Sequence, residues 1–600
     1  MDHDAIRIAY FSMEIALQPG MPTYAGGLGI LAGDTLRSAA DMRVPMVAIS
    51  LLPRWGYFKQ ILGEDGWQQE CPSSWAVEDF LQQVEARAEM SIDGRRVLIR
   101  AWRYKLRGGD NPESGDNFGH GEGEEEGKGE RDNSVDIYFL DTDMQENSDY
   151  DRSLSHHLYG GDSHYRLCQE AILGIGGARM LAALGYTGLQ RYHLNEGHAS
   201  LLILELRKRQ QDLLTNNGNS DDNNKPDNIT EAVRDLCVFT THTPVPAGHD
   251  QFPLSEVSAV LGPDYLLIGC EDLFCFDNKL NMTYLALANS RYINGVAKQH
   301  SHLSQQMYAG YHIDHITNGV HAASWVCEPM QRLYDQYIPG WRMDNLSLRG
   351  ALNIPRTPIQ QAHQAAKQKL LETVNSLTSA GKQMEPQFFT IGFARRAAVY
   401  KRPDLLFTDI ERLKSICGKF LRLQIIYAGK AHPNDQQGKL LIQKIINLAN
   451  SLDQNINIIY LPNYDISLAK LMTSGCDLWL NTPRPPLEAS GTSGMKAALN
   501  GVPSLSTMDG WWLEGCIEGL TGWGIGETGG GLTSKLTEQS EDHQRHEAGS
   551  LYHKLEHIIL PLYYQNQLGY LEIMRHAIAL NGSYFNTERM LNQYIAKAYY

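Results

Sequence analysis

The 600-residue sequence has no apolar run approaching the ~20 residues that span a bilayer. Its nine cysteines contain no CxxC pair, and positive charge is in deficit, with 53 Lys and Arg against 69 Asp and Glu and a formal net charge of −16. Each lack removes a class of function. Nucleic acid and anionic membrane both need concentrated positive charge, so neither is expected as the main partner, and an anionic small substrate would need a local basic patch. Cysteines scattered from Cys71 to Cys516 point to reduced, mostly buried thiols rather than a disulfide framework. The N-terminal MDHDAIRIAYFSMEIAL lacks the basic-then-apolar order of a signal peptide, so a cytoplasmic protein is expected. What is present is 42% hydrophobic and 20% charged residues over a length too great for one core, which predicts at least two large domains.

The chain opens with the strand-like IRIAYFSMEIAL, a Gly-rich turn at residues 24–34, the helix-like TLRSAADM and a second apolar run, VPMVAISLL. This is a β-turn-α-β pattern. Its glycines, Gly26, Gly27 and Gly29, form only a loose dinucleotide fingerprint, with the third glycine displaced and no acidic residue at the usual spacing. Residues 107–133 and 215–228 are rich in Gly, Asn and charge, and read as disordered surface inserts. The second precedes a segment, AVRDLCVFTTHTPVP, that reads as a strand. After residues 316–326 a helical pattern, QQAHQAAKQKLLETVNSL, leads into a new strand series: QFFTIGFA, LRLQIIYAG, INIIYL and CDLWLNT. Two α/β halves are therefore expected. The tail, from YLEIMRH to Tyr600, has the apolar spacing of core helices.

Three features carry chemistry. In EASGTSGMKAALN (residues 488–500), Gly491, Thr492, Ser493 and Gly494 open into a helix whose free amides suit a phosphate, with Lys496 in reach of an aldehyde. An ordinary loop entering a helix with a solvated lysine has the same composition. Directly after QFFTIGFA, the run RRAAVYKR concentrates Arg395, Arg396, Lys401 and Arg402 at the carboxyl edge of a strand, where arginine forks suit phosphate oxygens; a solvated helix face is the plain alternative. Among the histidines, His156, His157 and His164 with Asp162, and His193 and His198 with Glu196, read as polar loop residues, since no helical spacing puts a metal-ligand set on one face. No metal is expected. His242 is the best single histidine, falling just after an apolar strand.

The motifs EASGTSGMKAALNG, RRAAVYKRPDLL, YLPNYDISLAKLM, ITNGVHAASW and AGGLGILAGD together resemble the α-1,4-glucan (glycogen, starch, maltodextrin) phosphorylases, and the likeness covers nearly the whole chain. The resemblance implies an α/β fold of the GT-B type, two Rossmann-like doubly wound domains facing across a cleft. It places a glucan-binding domain at 1–318, a cofactor domain at 319–570 and a C-terminal helix at 571–600 crossing back. It implies pyridoxal 5′-phosphate held as a Schiff base on Lys496, with Thr492, Ser493, Gly27, Arg395, Lys401, Tyr464 and Trp325 around the cofactor. Gly26, Gly27, Leu28, His242, Asn318, Arg396, Lys401, Glu488, Ser490 and Gly491 match positions around phosphate and the terminal glucose. Lys496, Arg396, Lys401, Thr492 and His242 would form the catalytic set.

The implied reaction is reversible, retaining phosphorolysis by an enzyme of the glycosyltransferase class, with α-glucan and inorganic phosphate as partners and a homodimer among the allowed assemblies. A nucleotide-sugar glucosyltransferase on the same fold, or a non-catalytic glucan-binding protein, would make less use of Lys496. The departures from the family pattern are Ser493-Gly494, Ala397-Ala398-Val399 and Trp511-Trp512, together with a start close to the first core strand that leaves out the regulatory extension of the animal enzymes.

Overall fold

The computed structural model describes residues 3–109, 133–216, 225–245, 249–262, 265, 271–378, 382–452, 455–526 and 541–600. The chain divides into two compact α/β units. The first comprises Met1–Phe58, Pro72–Ile316 and Met590–Tyr600, and the second Lys59–Cys71 and Thr317–Arg589. Most of the acidic Gly-rich insert (110–132), and 217–224 of the second insert, lie outside the described residues; residues 225–228 already belong to the helix Lys225–Leu236. Among the described residues no helix is long and apolar enough to cross a membrane.

The division corrects the expected boundaries in two places. The antiparallel hairpin of Lys59–Leu62 and Gln68–Cys71 belongs to the second unit, where Gln60 Nε2 donates to the Gly429 carbonyl (2.9 Å) and Gln68 Nε2 to that of Ala431 (2.9 Å). Such a short, half-exposed hairpin has no core of its own, so hydrophobic pattern alone cannot say where it docks. At the other end, residues 571–589 stay with the second unit and only Met590–Tyr600 joins the first.

The first unit is built on a nine-stranded sheet. From one edge it runs Asp314–His315, Tyr292–Gly295, Cys237–Thr240, Arg191–Asn195, Ile8–Ser12, Met46–Leu51, Ser134–Asp141, Arg95–Arg107 and Gln82–Ile92. The first seven are parallel and the last two antiparallel. Alternate residues of Ile8–Ser12 enter two separate cores, Ala9 and Phe11 on one face and Ile8 and Tyr10 on the other, as a sheet covered on both sides requires. The strand expected across AVRDLCVFTTHTPVP is shorter than its pattern: AVRDL ends the helix Lys225–Leu236, and only Cys237–Thr240 pairs.

In the second unit six strands are all parallel, in the order Ile456–Leu461, Leu423–Ala428, Phe389–Ala394, Leu478–Asn481, Ser504–Thr507, Gly522–Ile525. In chain order this is 3-2-1-4-5-6. The direction of winding reverses between Phe389–Ala394 and Leu478–Asn481, which leaves a crevice beyond their carboxyl ends, the usual place for a ligand on such a sheet. The first unit has the same reversal between Ile8–Ser12 and Arg191–Asn195.

Candidate functional site

Both segments that follow the reversal in the second unit are those singled out for their chemistry. Lys496 lies in the helix Ser493–Leu499 and is 6% exposed, its Nζ over the ring of Trp325. Small residues let the turn before this helix pack closely. Gly491 has φ +78°, which a side chain rarely adopts, and a Cβ on Gly494 would come 2.7 Å from the Trp511 indole. Thr492 is the N-cap residue, but its side chain caps nothing, while the Ser493 hydroxyl accepts from Trp479 Nε1 (3.0 Å) and ties the helix to its strand. Asn500 fastens the other end: its Nδ2 donates to the Trp325 carbonyl (2.8 Å) and its Oδ1 accepts from the Cys327 amide (2.8 Å). Tyr464 is half-buried and packs against the core that contains Ala497.

The basic run is not a helix face. After Phe389–Ala394 the chain makes a single 3-10 turn, Val399–Lys401, and then a left-handed residue, Arg402 (φ +44°). Arg395 Nη2 lies 2.7 Å from Glu488 Oε1, and Lys401 Nζ pairs with Glu488 Oε2. Burial alone would push the Glu488 carboxyl up; the Arg395 and Lys401 charges outweigh it and hold the group below its ordinary value, so it stays ionised. Arg395 Nη1 is buried with no acceptor among the described residues. Arg396 is exposed. Arg402 is engaged elsewhere: it donates to the carbonyls of Thr482 (3.0 Å) and Pro483 (2.8 Å) and pairs with the buried Glu547.

Asp509, which no motif singles out, organises the turn around Glu488. Its two oxygens accept from the amides of Glu488 and Gly510, both at 2.9 Å, while the Ser490 carbonyl accepts from the Trp511 amide (3.0 Å). Burial, with the Glu488 charge adding, raises the Asp509 carboxyl to about 7 against the pull of those amides. Asn318 is buried in the same unit; its carbonyl accepts from Arg589 (2.9 Å), and its Oδ1 has no donor among the described residues.

Gly26, Gly27, Leu28 and His242 belong to the first unit. The Gly26 amide is already engaged, since Glu14 Oε2 accepts from it (3.0 Å) and from Ala25 (2.6 Å). Gly27, exposed at the start of the helix Gly27–Asp41, would meet nothing within 4 Å if it carried a Cβ. Leu28 is half-buried. The His242 amide donates to Glu196 Oε2 (2.7 Å) and its Nε2 meets Asn195 Oδ1 (2.7 Å), so that nitrogen carries the proton. Burial, with His300, His193 and His198 adding, lowers His242 to about 3 and keeps it neutral.

His193 is not the loop residue its polar setting suggested. It lies buried in the strand Arg191–Asn195, bonded to Tyr599 (2.7 Å) and Thr240 (2.9 Å). Asp162 caps the helix Ser163–Ala171. His156 and His157 stand by the Trp55 ring, and His164 bonds Tyr150 (2.9 Å) and Asp93 (3.2 Å). Glu14, just after the strand Ile8–Ser12, and Asn195, the last residue of the strand Arg191–Asn195, carried a signal only through position, at the reversal.

The family described as carbohydrate phosphorylase matches residues 269–521. Maltodextrin phosphorylase of Thermococcus litoralis is 35% identical over 635 residues, covering 99% of this chain and 70% of that protein. Glycogen phosphorylase of Aquifex aeolicus is 33% identical over 641 residues, 99% and 86% of the two chains. Glycogen phosphorylase of Mycobacterium tuberculosis is 35% identical over 657 residues, 99% and 70%.

Proposed function

Because the chain belongs to the carbohydrate phosphorylase family, we propose that it is an α-1,4-glucan phosphorylase. It moves the non-reducing terminal glucose of glycogen, starch or maltodextrin onto inorganic phosphate, reversibly and with retention, and releases α-D-glucose 1-phosphate. The observation that carries this reading is the pairing, in one unit, of a buried lysine on an indole with a buried carboxylate gripped by two cations. The family reading brings with it the GT-B arrangement for the two α/β units.

The residues present fit pyridoxal 5′-phosphate. A buried amine at Lys496 suits its aldehyde, and the unpartnered Arg395 Nη1 is a buried donor in want of an anionic acceptor. Lys496 would carry the group, with Trp325 and Tyr464 beside it and Arg395, Lys401, Thr492 and Ser493 toward its anion; Gly27 is the first unit's proposed contributor. When bound, it supplies a phosphate whose second pKa near 6 lets it give or take a proton close to neutrality.

The chain's own residues do the positioning. Arg395, Lys401 and Glu488 together carry one positive charge, so an arriving phosphate is attracted and Glu488 yields part of its hold on the two cations. Glu488 is a poor general acid, being held ionised by those cations. Asp509 is turned to two backbone amides, so Glu488 and Asp509 do not form the acid and nucleophile pair of a retaining glycosidase. In the second unit, Asn318 Oδ1 and the Ser490–Gly491 turn are the proposed contacts for the sugar hydroxyls; in the first, neutral His242 is the proposed sugar-binding residue.

Incubation of the purified protein with maltoheptaose and phosphate, followed by assay of glucose 1-phosphate, tests the proposal. Release of free glucose instead rejects it.

A further inference from the structure

A second cluster lies in the first unit, next to the turn that begins at Glu196. Glu170 on the helix Ser163–Ala171, His198 in the turn Gly197–Ala199, and Asp250 just before the strand Gln251–Pro253 each offer an oxygen or nitrogen within 4.8 Å of the other two. Sequence spacing hides this set because its members come from three separate elements.

Glu170 is fully buried. Its Oε1 accepts from Arg166 Nε (2.9 Å), while its Oε2 has no donor among the described residues. The Glu170 and Asp250 carboxyls lie within hydrogen-bonding reach of each other. Asp250 Oδ2 accepts from Arg166 Nη2 (3.1 Å) and stands 3.5 Å from His198 Nε2. That last distance is long for an N–H···O bond, whose usual length is about 2.9 Å. It is close to the ~3.3 Å edge of a tetrahedron with metal–ligand bonds of ~2.0 Å.

Two carboxylates this close, one of them fully buried, repel unless a proton or a cation lies between them, and Arg166, which pairs with Glu170 Oε1 and Asp250 Oδ2, leaves Glu170 Oε2 unmet among the described residues. A shared proton accounts for the carboxyl pair and leaves the histidine without a task; a cation accounts for all three groups. We propose that Glu170, His198 and Asp250 bind one divalent cation of the zinc class, for which a mixed imidazole and carboxylate set is suited. Arg166 then offsets one of the carboxylate charges. The neutral state of His198, which burial favours, leaves its ring nitrogen available as a ligand at neutral pH. The ion would pin the turn that begins at Glu196, the residue that holds the His242 amide.

The test uses the full-length protein, stripped with a chelator, desalted and titrated with Zn2+. It reads zinc retained per chain after gel filtration, and the Tm. Wild type is expected to retain about one equivalent and to rise in Tm on zinc addition. Glu170→Gln and His198→Gln are expected to retain roughly a tenth of that or less and to lose the rise. Glu170→Gln folds under either alternative, because its amide donates to Asp250 where a shared proton would have sat. Absence of retained zinc and of any Tm change in wild type overturns the proposal. Equal retention by wild type and Glu170→Gln also overturns it, since the metal would then sit on other histidines.

Discussion

Lys496 holds its Nζ 3.9 Å from the centroid of the Trp325 ring, with Asn500 bonded to the backbone of both residues. A lysine packed on an indole is worth about 0.5–2 kcal/mol beyond its burial. Lys496→Ala is expected to abolish glucose 1-phosphate formation and the pyridoxal absorbance together. Trp325→Leu, which removes the indole beside the lysine, is expected to weaken cofactor retention. Dialysis followed by absorbance measures both.

Lys401 and Arg402 are neighbours with different duties. Lys401→Ala leaves Glu488 to Arg395 alone and is expected to abolish phosphorolysis while cofactor stays largely bound; near-normal turnover at saturating phosphate would contradict the role. Arg402→Ala strands buried Glu547 and is expected to cost ~3–5 kcal/mol of stability with little change in the KM for phosphate. Denaturant titration and phosphate kinetics on the two variants separate the cases.

Asp509 makes a pH prediction. Its carboxyl, raised by burial to about 7 from 3.8, binds more protons folded than unfolded between those values. Stability from this group is therefore present at low pH and lost as pH rises to about 7. The stability of wild type relative to Asp509→Asn is expected to fall by about 3 kcal/mol from pH 5 to pH 8 at 1.36 kcal/mol per unit. Urea midpoints at the two pH values measure it, and a constant difference would show that Asp509 does not titrate there.

His193 and His242 act in the opposite sense. Burial lowers both from 6.5 to about 3, so the unfolded chain binds more protons below pH 6.5 and stability is lost as pH falls. Each is expected to cost about 1.4 kcal/mol by pH 5.5. His193→Gln should flatten the pH 5.5–7.5 stability profile by that amount.

Much of the second unit was legible beforehand. QFFTIGFA, LRLQIIYAG, INIIYL and CDLWLNT are the strands Phe389–Ala394, Leu423–Ala428, Ile456–Leu461 and Leu478–Asn481, since strands of a parallel sheet buried on both faces read as unbroken apolar runs. MKAAL lies in the helix of Lys496 and the Asn500 that follows is its C-cap. Less legible were the hairpin at 59–71 and the strands Gln82–Ile92 and Arg95–Arg107, whose polar faces look like loops until their partners are known.

Local pattern and ordered motifs by themselves determined the α/β class, the lysine-bearing turn, the basic run after a strand and the family, because these depend on residues near one another in the chain. Only tertiary structure decided which of those charges work together. It gave Glu488 to Arg395 and Lys401, sent Arg402 to Glu547, set Asp509 under the turn at Glu488, and collected Glu170, His198 and Asp250 from three elements. The reason is physical: an ion pair or ligand set depends on distances of a few ångströms between side chains, and folding, not sequence separation, determines those.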